Sequence, residues 1–464
     1  MRQIFAAQRS AFLRAGPPSL EERRADLGKL SEAVSASVDK LAEAISADFG
    51  HRSRHETELA EIVPVQSTIR HTLRHLPAWM RPKPVSVGIE LLPASARILY
   101  QPVGVVGIMS PWNYPFNLTI VPLVAALAAG NRVMLKPSEL TPRTSAFIAE
   151  LLAGLFPTDK VATVLGGPEA GQAFARLPLD HLLYTGSTTV GRLVMQAAAE
   201  NLTPVTLELG GKSPCILGED AALQSAVESI VYGKLLNAGQ TCIAPDYVLL
   251  PERRLDEFVA LSVNTAEKFY PTLAENPDYT SIINERHYQR IAQYVAEAKA
   301  NGVRVVEINP RHEIFSADTR KLPPTLVIEP PDNLAIMREE IFGPVLPVKT
   351  YRDLDQAIDY VNGHPRPLAL YYFGSAADKR DEVLRKTVSG GVSVNATLFH
   401  FVAENLPFGG IGPSGIGAYH GEFGFQTFSH RKGVFVQSRF SGARFLYPPF
   451  GRIADLMLRF LRRR

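Results

Sequence analysis

A thiol and a carboxylate 34 residues apart are the parts of this chain best suited to covalent chemistry: Cys242 closes Asn237-Ala-Gly-Gln-Thr-Cys242, and Glu208 opens Glu208-Leu-Gly-Gly-Lys212. A thiolate attacks a carbonyl carbon, and a glutamate ending a buried strand beside two glycines has a raised pKa and acts as a general base. The chain has two cysteines. Cys215 sits in the apolar run Ser213-Pro-Cys-Ile-Leu217 and reads as a small buried hydrophobe, whereas Cys242 lies in a polar, turn-prone stretch where a thiol meets substrate. The plain alternative for Glu208 is a carboxylate paired with Lys212 or bonded to its own turn.

Four further groups accompany this pair. Asn113, in Ser110-Pro-Trp-Asn-Tyr-Pro115, follows an apolar strand in a loop stiffened by two prolines, so its amide NH2 can donate to a developing oxyanion. An ordinary loop turn is the competing reading. Lys136-Pro-Ser-Glu139 follows the next strand; Lys136 and Glu139 can reach sugar hydroxyls, though Ser-Glu also reads as helix capping. Gly186-Ser-Thr-Thr-Val-Gly191 joins a strand to a helix, so Gly186, Ser187 and Gly191 offer backbone N–H groups and a helix N-terminus to a pyrophosphate. It is neither the three-glycine dinucleotide fingerprint nor a P-loop. In Glu339-Glu-Ile-Phe-Gly-Pro344, an extended segment would point Glu340 and Phe342 the same way, one toward a ribose and the other onto a flat ring.

These groups need elements to hold them. Leu20 to Asp48 reads as one amphipathic helix. From Val103 the pattern alternates: strand Val103 to Met109, helix Asn117 to Ala129, strand Arg132 to Leu135, helix Thr144 to Leu155, strands Lys160 to Leu165 and His181 to Tyr184, helix Thr188 to Glu200, strand Val205 to Leu209. Alternation resumes with strands at Cys215 to Leu217, Tyr247 to Leu250, Val303 to Glu307 and Val345 to Lys349. The pattern predicts an α/β fold of two mostly parallel sheets that bind ligands at their carboxyl ends. Arg97 to Tyr100 and Gly433 to Gln437 are candidates for a small β-flap.

At 464 residues the chain exceeds one core. Its 49 basic and 46 acidic residues are scattered, which gives no footprint for nucleic acid. A free thiol favours a reducing compartment, and no segment reads as a signal peptide or membrane span, so the expectation is a cytoplasmic protein. His71 and His75, four apart on a helix, have no third ligand nearby, and no metal is expected.

In their order, Pro-Trp-Asn113-Tyr-Pro, Lys136-Pro-Ser-Glu139, Gly186-Ser187 with Gly191, Glu208-Leu-Gly-Gly, Gly239-Gln-Thr-Cys242 and Glu340-Ile-Phe342-Gly-Pro resemble the aldehyde dehydrogenase superfamily over almost the whole chain. The strings Gly239-Gln-Thr-Cys-Ile-Ala-Pro-Asp-Tyr247, Leu406-Pro-Phe-Gly-Gly410 and Gly417-Ala-Tyr-His-Gly421 look like its class 3 branch, and Arg444-Phe-Leu-Tyr-Pro-Pro-Phe-Gly-Arg452 looks like the bacterial coniferyl-aldehyde dehydrogenases.

The resemblance implies two Rossmann-like domains and a β-flap for oligomerisation. Residues 1–80 and 104–208 would bind the cofactor, 209–428 would carry the cysteine, 81–103 and 429–440 would form the flap, and 441–464 a basic amphipathic tail. It implies a set of roles as well: Cys242 as nucleophile, Asn113 and the Cys242 backbone N–H as oxyanion donors, and Glu208 as the base that hydrolyses a thioester. Lys136 and Glu139 would hold the adenosine ribose, Gly186, Ser187 and Gly191 the pyrophosphate, and Glu340 with Phe342 the nicotinamide riboside. Glu139 favours NAD, with NADP also accepted by some of the branch. The implied partners are an aldehyde, aromatic or medium to long aliphatic, and a second copy of the chain.

The tail from Ile453 to Arg464 suits a membrane surface, but docking on the protein or its dimer mate is the preferred reading. A thiol esterase using Cys242 and Glu208, a CoA-acylating enzyme and a catalytically silent protein are the competing functions. Trp112, Tyr114, Phe399 and Phe401 are candidates to line an apolar tunnel.

Overall fold

The computed structural model describes residues 1–462. Two parallel sheets with helices on their faces form the α/β architecture that the alternating pattern predicts. The first has six strands in the order Gly415–Ile416, Val205–Glu208, His181–Thr185, Val105–Met109, Arg132–Lys136 and Val161–Thr163. All pair in parallel except the first, which lies antiparallel to Val205–Glu208 and comes from far along the chain.

The helix Asn117–Ala129 is buried at every position, as expected of a segment apolar all round. It packs between this sheet and the helix Val63–Trp79.

The second sheet has seven strands: Arg304–Glu307, Thr325–Ile328, Val345–Tyr351, Tyr247–Pro251, Pro214–Leu217, Ala369–Phe373 and Gly391–Val394. Only Arg304–Glu307 runs antiparallel. Thr325–Ile328, Ala369–Phe373 and Gly391–Val394 are strands that the pattern reading did not pick out. The flap is larger than the two short runs suggest: Ser95–Pro102 pairs with Ser429–Val436 over eight residues, and Lys83–Val85 adds a third strand.

The single helix expected from Leu20 to Asp48 is instead two, Leu20–Ser35 and Val38–Phe49. Ser35 and Ser37 donate their hydroxyls to the carbonyls of Ser31 and Ala33, and such back-bonding competes with helical continuation. Ser37 departs from helical geometry at φ −111° and ψ 5°. Among the described residues, no helix is long and apolar enough to cross a membrane. The tail forms a helix at Arg452–Arg462 that buries only Ala454. Arg463 and Arg464, part of the expected basic end, lie outside the described residues.

Candidate active site

Parallel pairing brings the carboxyl ends of four strands into one row. Thr185 is in register with Glu208, and Met109 with both Tyr184 and Lys136. Strand order reverses beside Val105–Met109, because the chain runs out through Arg132–Lys136 on one side and returns through His181–Thr185 on the other. The loops leaving this point flank the crevice where such sheets take ligands, and they carry Asn113 and Gly186.

Glu208 ends its strand with both carboxylate oxygens buried and without a hydrogen-bond partner. Burial alone pushes its pKa well above the carboxylate range. It does not pair with Lys212. That lysine binds Asp246 and donates to the carbonyls of Ile336 at 2.7 Å and Glu339 at 2.9 Å. Glu208 is thus a carboxyl group of raised proton affinity, with no cation in contact among the described residues.

Cys242 follows the sharp turn Leu236–Gly239, in which Asn237 (φ 54°), Ala238 (φ 50°) and Gly239 (φ 75°) are all left-handed. A Cβ on Gly239 would lie 2.3 Å from the Gly343 carbonyl, so only glycine fits there. Buried bonds hold the strained turn: Gln240 donates to the carbonyls of Asn237 and Ser281, both at 3.0 Å, and accepts from Ile283 N at 2.9 Å. Cys242 as a residue is half-buried. Burial of its surroundings, with the carboxylates of Glu340 and Glu208 nearby, pushes its pKa up to about 12. Cys215, fully buried in its strand, is the inert one.

Asn113 reaches the nucleophile's loop. Its Nδ2 donates to the Gln240 carbonyl at 3.1 Å, two residues before the thiol, and the Tyr114 hydroxyl bonds Thr241 Oγ1 at 2.6 Å. The Asn113 amide therefore lies beside the sulfur's own segment and not in a free turn. Lys136 Nζ meets Glu139 Oε2 at 3.2 Å, with the lysine buried and the glutamate 40% exposed, so this pair faces the crevice rim. Ser187 caps the helix Thr188–Ala199 by accepting from Val190 N at 3.4 Å.

Glu340 and Phe342 correct the extended-segment expectation. Phe342 is left-handed at φ 50°, which breaks the alternation that would point both side chains one way. Its ring packs edge-on against Trp112, centroids 5.4 Å apart. Glu340 lies on Gly210, where a Cβ would come within 2.1 Å of its Oε2, and burial lifts its pKa to about 8. Asp246 fixes this segment by accepting from Ile341 N at 3.0 Å.

Of the aromatic candidates, Trp112 packs at tilted and edge-on angles among Phe49, His287 and Phe342, and Phe401 packs on Phe408 and His420. Phe399 is exposed. His71 and His75 stack with each other and Trp79, and among the described residues no group of three or more metal-ligating side chains converges.

Sequence reading missed the polar layer beneath the site: Arg52, Glu56 and Glu61, all buried, which bond the loops of Asn113 and Asn237. No sequence signal marked it: the π-helical turn at Glu58–Ile62, a feature common at functional sites, is invisible to helical periodicity.

The chain belongs to the aldehyde dehydrogenase family, whose profile matches residues 1–434. It is thereby an oxidoreductase acting on aldehydes. A coniferyl aldehyde dehydrogenase from a Pseudomonas species is 50% identical over 434 residues, covering 93% of this chain and 89% of that protein. The substrate-bound AldH of Staphylococcus aureus superposes with a TM-score of 0.93 at 37% identity, covering 99% of each chain. The aldehyde dehydrogenase of Mycobacterium tuberculosis complexed with NAD+ gives 0.84 at 30% identity, over 94% of this chain and 89% of that one.

Proposed function

We propose that the protein oxidises an aromatic aldehyde of the coniferyl type to its acid, with NAD as oxidant and Cys242 as nucleophile. The observation that carries this reading is the 3.1 Å bond joining Asn113 Nδ2 to the Gln240 carbonyl, which sets an amide donor beside the thiol's loop. The unbonded carboxylate of Glu208 ends the neighbouring strand.

The residues around the crevice suit NAD. Glu340 Oε1 is buried with no partner, Lys136 and Glu139 stand at one rim, and a helix N-terminus begins at Ser187. Lys136 and Glu139 would hold the adenosine ribose, Gly186, Ser187 and Gly191 the pyrophosphate, and Glu340 with Phe342 the nicotinamide riboside. When bound there, NAD would accept the hydride that leaves the substrate carbon. The Glu139 carboxylate repels a 2'-phosphate, which favours NAD over NADP.

Cys242 Sγ, once deprotonated, bonds the aldehyde carbon, and the oxyanion is met by Asn113 Nδ2 and the Cys242 backbone N–H. Loss of hydride leaves a thioester on Sγ. Glu208 takes a proton from water as the hydroxyl adds to that carbon, and the thiolate departs as the acid is released. Glu208 also disfavours the CoA-acylating alternative, because it supplies the base for hydrolysis.

The cofactor would be bound by residues 1–80 and 104–208, and the nucleophile carried by 209–428. We assign residues 81–103 and 429–440 to a homodimer contact: Lys83–Val85 is an exposed edge strand, and Phe435 and Val436 are half exposed. The tail docks on the protein or its dimer mate in this reading, and the compartment is the cytoplasm, where the thiol stays reduced. Light scattering of the full chain and of one ending at Phe450 tests the assembly. A monomer in both overturns it.

The deciding assay is cofactor reduction with coniferaldehyde, benzaldehyde, hexanal and a long-chain alkanal, each with NAD and NADP, beside Cys242→Ser. Fastest turnover of coniferaldehyde with NAD, absent from the variant, is expected. Preference for an alkanal would replace the aromatic substrate, and ester hydrolysis without any reduction would replace the oxidation.

A further inference from the structure

Arg52 is a buried cation near the reaction centre, with a side chain of 0% exposure, and it touches none of the reacting groups. Its Nη1 donates to Glu61 Oε1 at 2.9 Å and to the Asn113 carbonyl at 3.1 Å. The guanidinium lies over the rings of Phe49 and Tyr114, at 5.1 and 4.8 Å from their centroids. Glu61 gives its second oxygen to Asn117 N at 2.7 Å, so one carboxylate holds both the arginine and the start of the following helix. The Asn113 carbonyl also accepts from Asn237 Nδ2 at 3.1 Å. Asn237 N in turn donates to Glu56 Oε1 at 3.0 Å.

Arg52 and Glu56, four residues apart, therefore grip the two loops that must meet at the thiol. A buried ion pair is weak support for stability, since packed apolar side chains often serve as well. Two of the Arg52 guanidinium nitrogens, Nε and Nη2, have no partner among the described residues, which makes a purely structural explanation weaker still. What the arrangement does supply is direction, because fixing a carbonyl fixes its peptide plane and, through Cα, the side chain that leaves it.

We infer that Arg52, held by Glu61, is a positioning residue that aims the Asn113 amide at the oxyanion. This rests on the role proposed for Asn113. Displacement of the amide by an ångström removes a transition-state contact while leaving the cofactor subsite intact, so the loss belongs in kcat.

The test is a double-mutant cycle of Arg52→Met and Asn113→Ala, with Arg52→Lys alongside, in which kcat is corrected for the reactive thiol titrated in each preparation. Asn113→Ala is expected to lower kcat by about 100-fold. Arg52→Met should lower it by about 10-fold in the native background and leave it nearly unchanged when Asn113 is already alanine. KM for NAD should stay constant in all variants, and Arg52→Lys should recover part of the loss, since an ammonium still donates to the carbonyl. A factor for Arg52→Met that multiplies fully in the alanine background overturns the inference while leaving the function of Asn113 intact. An unimpaired Asn113→Ala overturns both. Should Arg52→Met fail to fold, Arg52→Lys and Glu61→Gln carry the same cycle.

Discussion

Glu61 and Glu208 are both sealed from water near the reaction centre, yet they live in opposite environments. Glu61 binds a guanidinium and a backbone N–H, and its pKa is held at about 7 although burial raises it. Among the described residues Glu208 has no hydrogen-bond partner, and burial lifts it well above the carboxylate range. The contrast teaches where the protein uses a carboxylate to fix geometry and where it keeps one reactive: the satisfied group organises, and the unsatisfied one is left to exchange a proton.

Exchanging each carboxylate separately should break the pair most visibly. Glu208→Gln is expected to lower steady-state turnover by about 10²–10⁴-fold. A single-turnover burst of reduced cofactor should survive, because the thioester forms but is not hydrolysed. Rapid-mixing kinetics reads this, and loss of the burst together with turnover would place Glu208 in the first step instead. Glu61→Ala, by contrast, should lower unfolding free energy by about 3–5 kcal/mol by stranding the Arg52 charge. Denaturant titration measures it, and an unchanged midpoint would show that the pair is not what holds that layer.

The pH dependence sharpens the comparison. The Cys242 thiol is pushed up to about 12 and must lose a proton to attack, so kcat/KM should climb through neutrality into the alkaline range. A profile already flat below about pH 8 would show that the Cys242 thiol loses its proton far more readily than its burial implies. The smallest effect is on stability. Glu340, raised from 4.5 to about 8, contributes stability that is complete below about 4.5 and is lost as pH rises through about 8. Glu340→Gln should flatten that decline in unfolding titrations across the interval, and an equally steep curve would remove Glu340 as its source.

The groups legible in sequence are those whose role is written locally. Asn113 between prolines, Glu208 before two glycines and Cys242 after Ala-Gly-Gln-Thr each announce a loop or strand end, and the alternation from Val103 onward located most of the parallel strands. Arg52, Glu56 and Glu61 lie in His51-Arg-Ser-Arg-His-Glu-Thr-Glu-Leu-Ala-Glu61, which reads as a charged, solvated face. Their partners are remote: Glu56 meets Asn237 across 181 residues, and Arg52 meets Asn113 across 61. No local pattern encodes such meetings. The break at Ser35–Ser37 was missed because local serine back-bonding competes with the helical period, and the left-handed Phe342 because tertiary contacts override the extended alternation.

The antiparallel strand Gly415–Ile416 has a consequence for how the protein is made. It covers the edge of the strand that ends in Glu208, but a ribosome reaches it only some two hundred residues later, about 10–40 s at ordinary elongation rates. Through that interval the nascent first sheet exposes an unpaired edge beside its future base, so synthesis itself imposes a window in which a chaperone, or another growing chain, competes for the place these two residues will take.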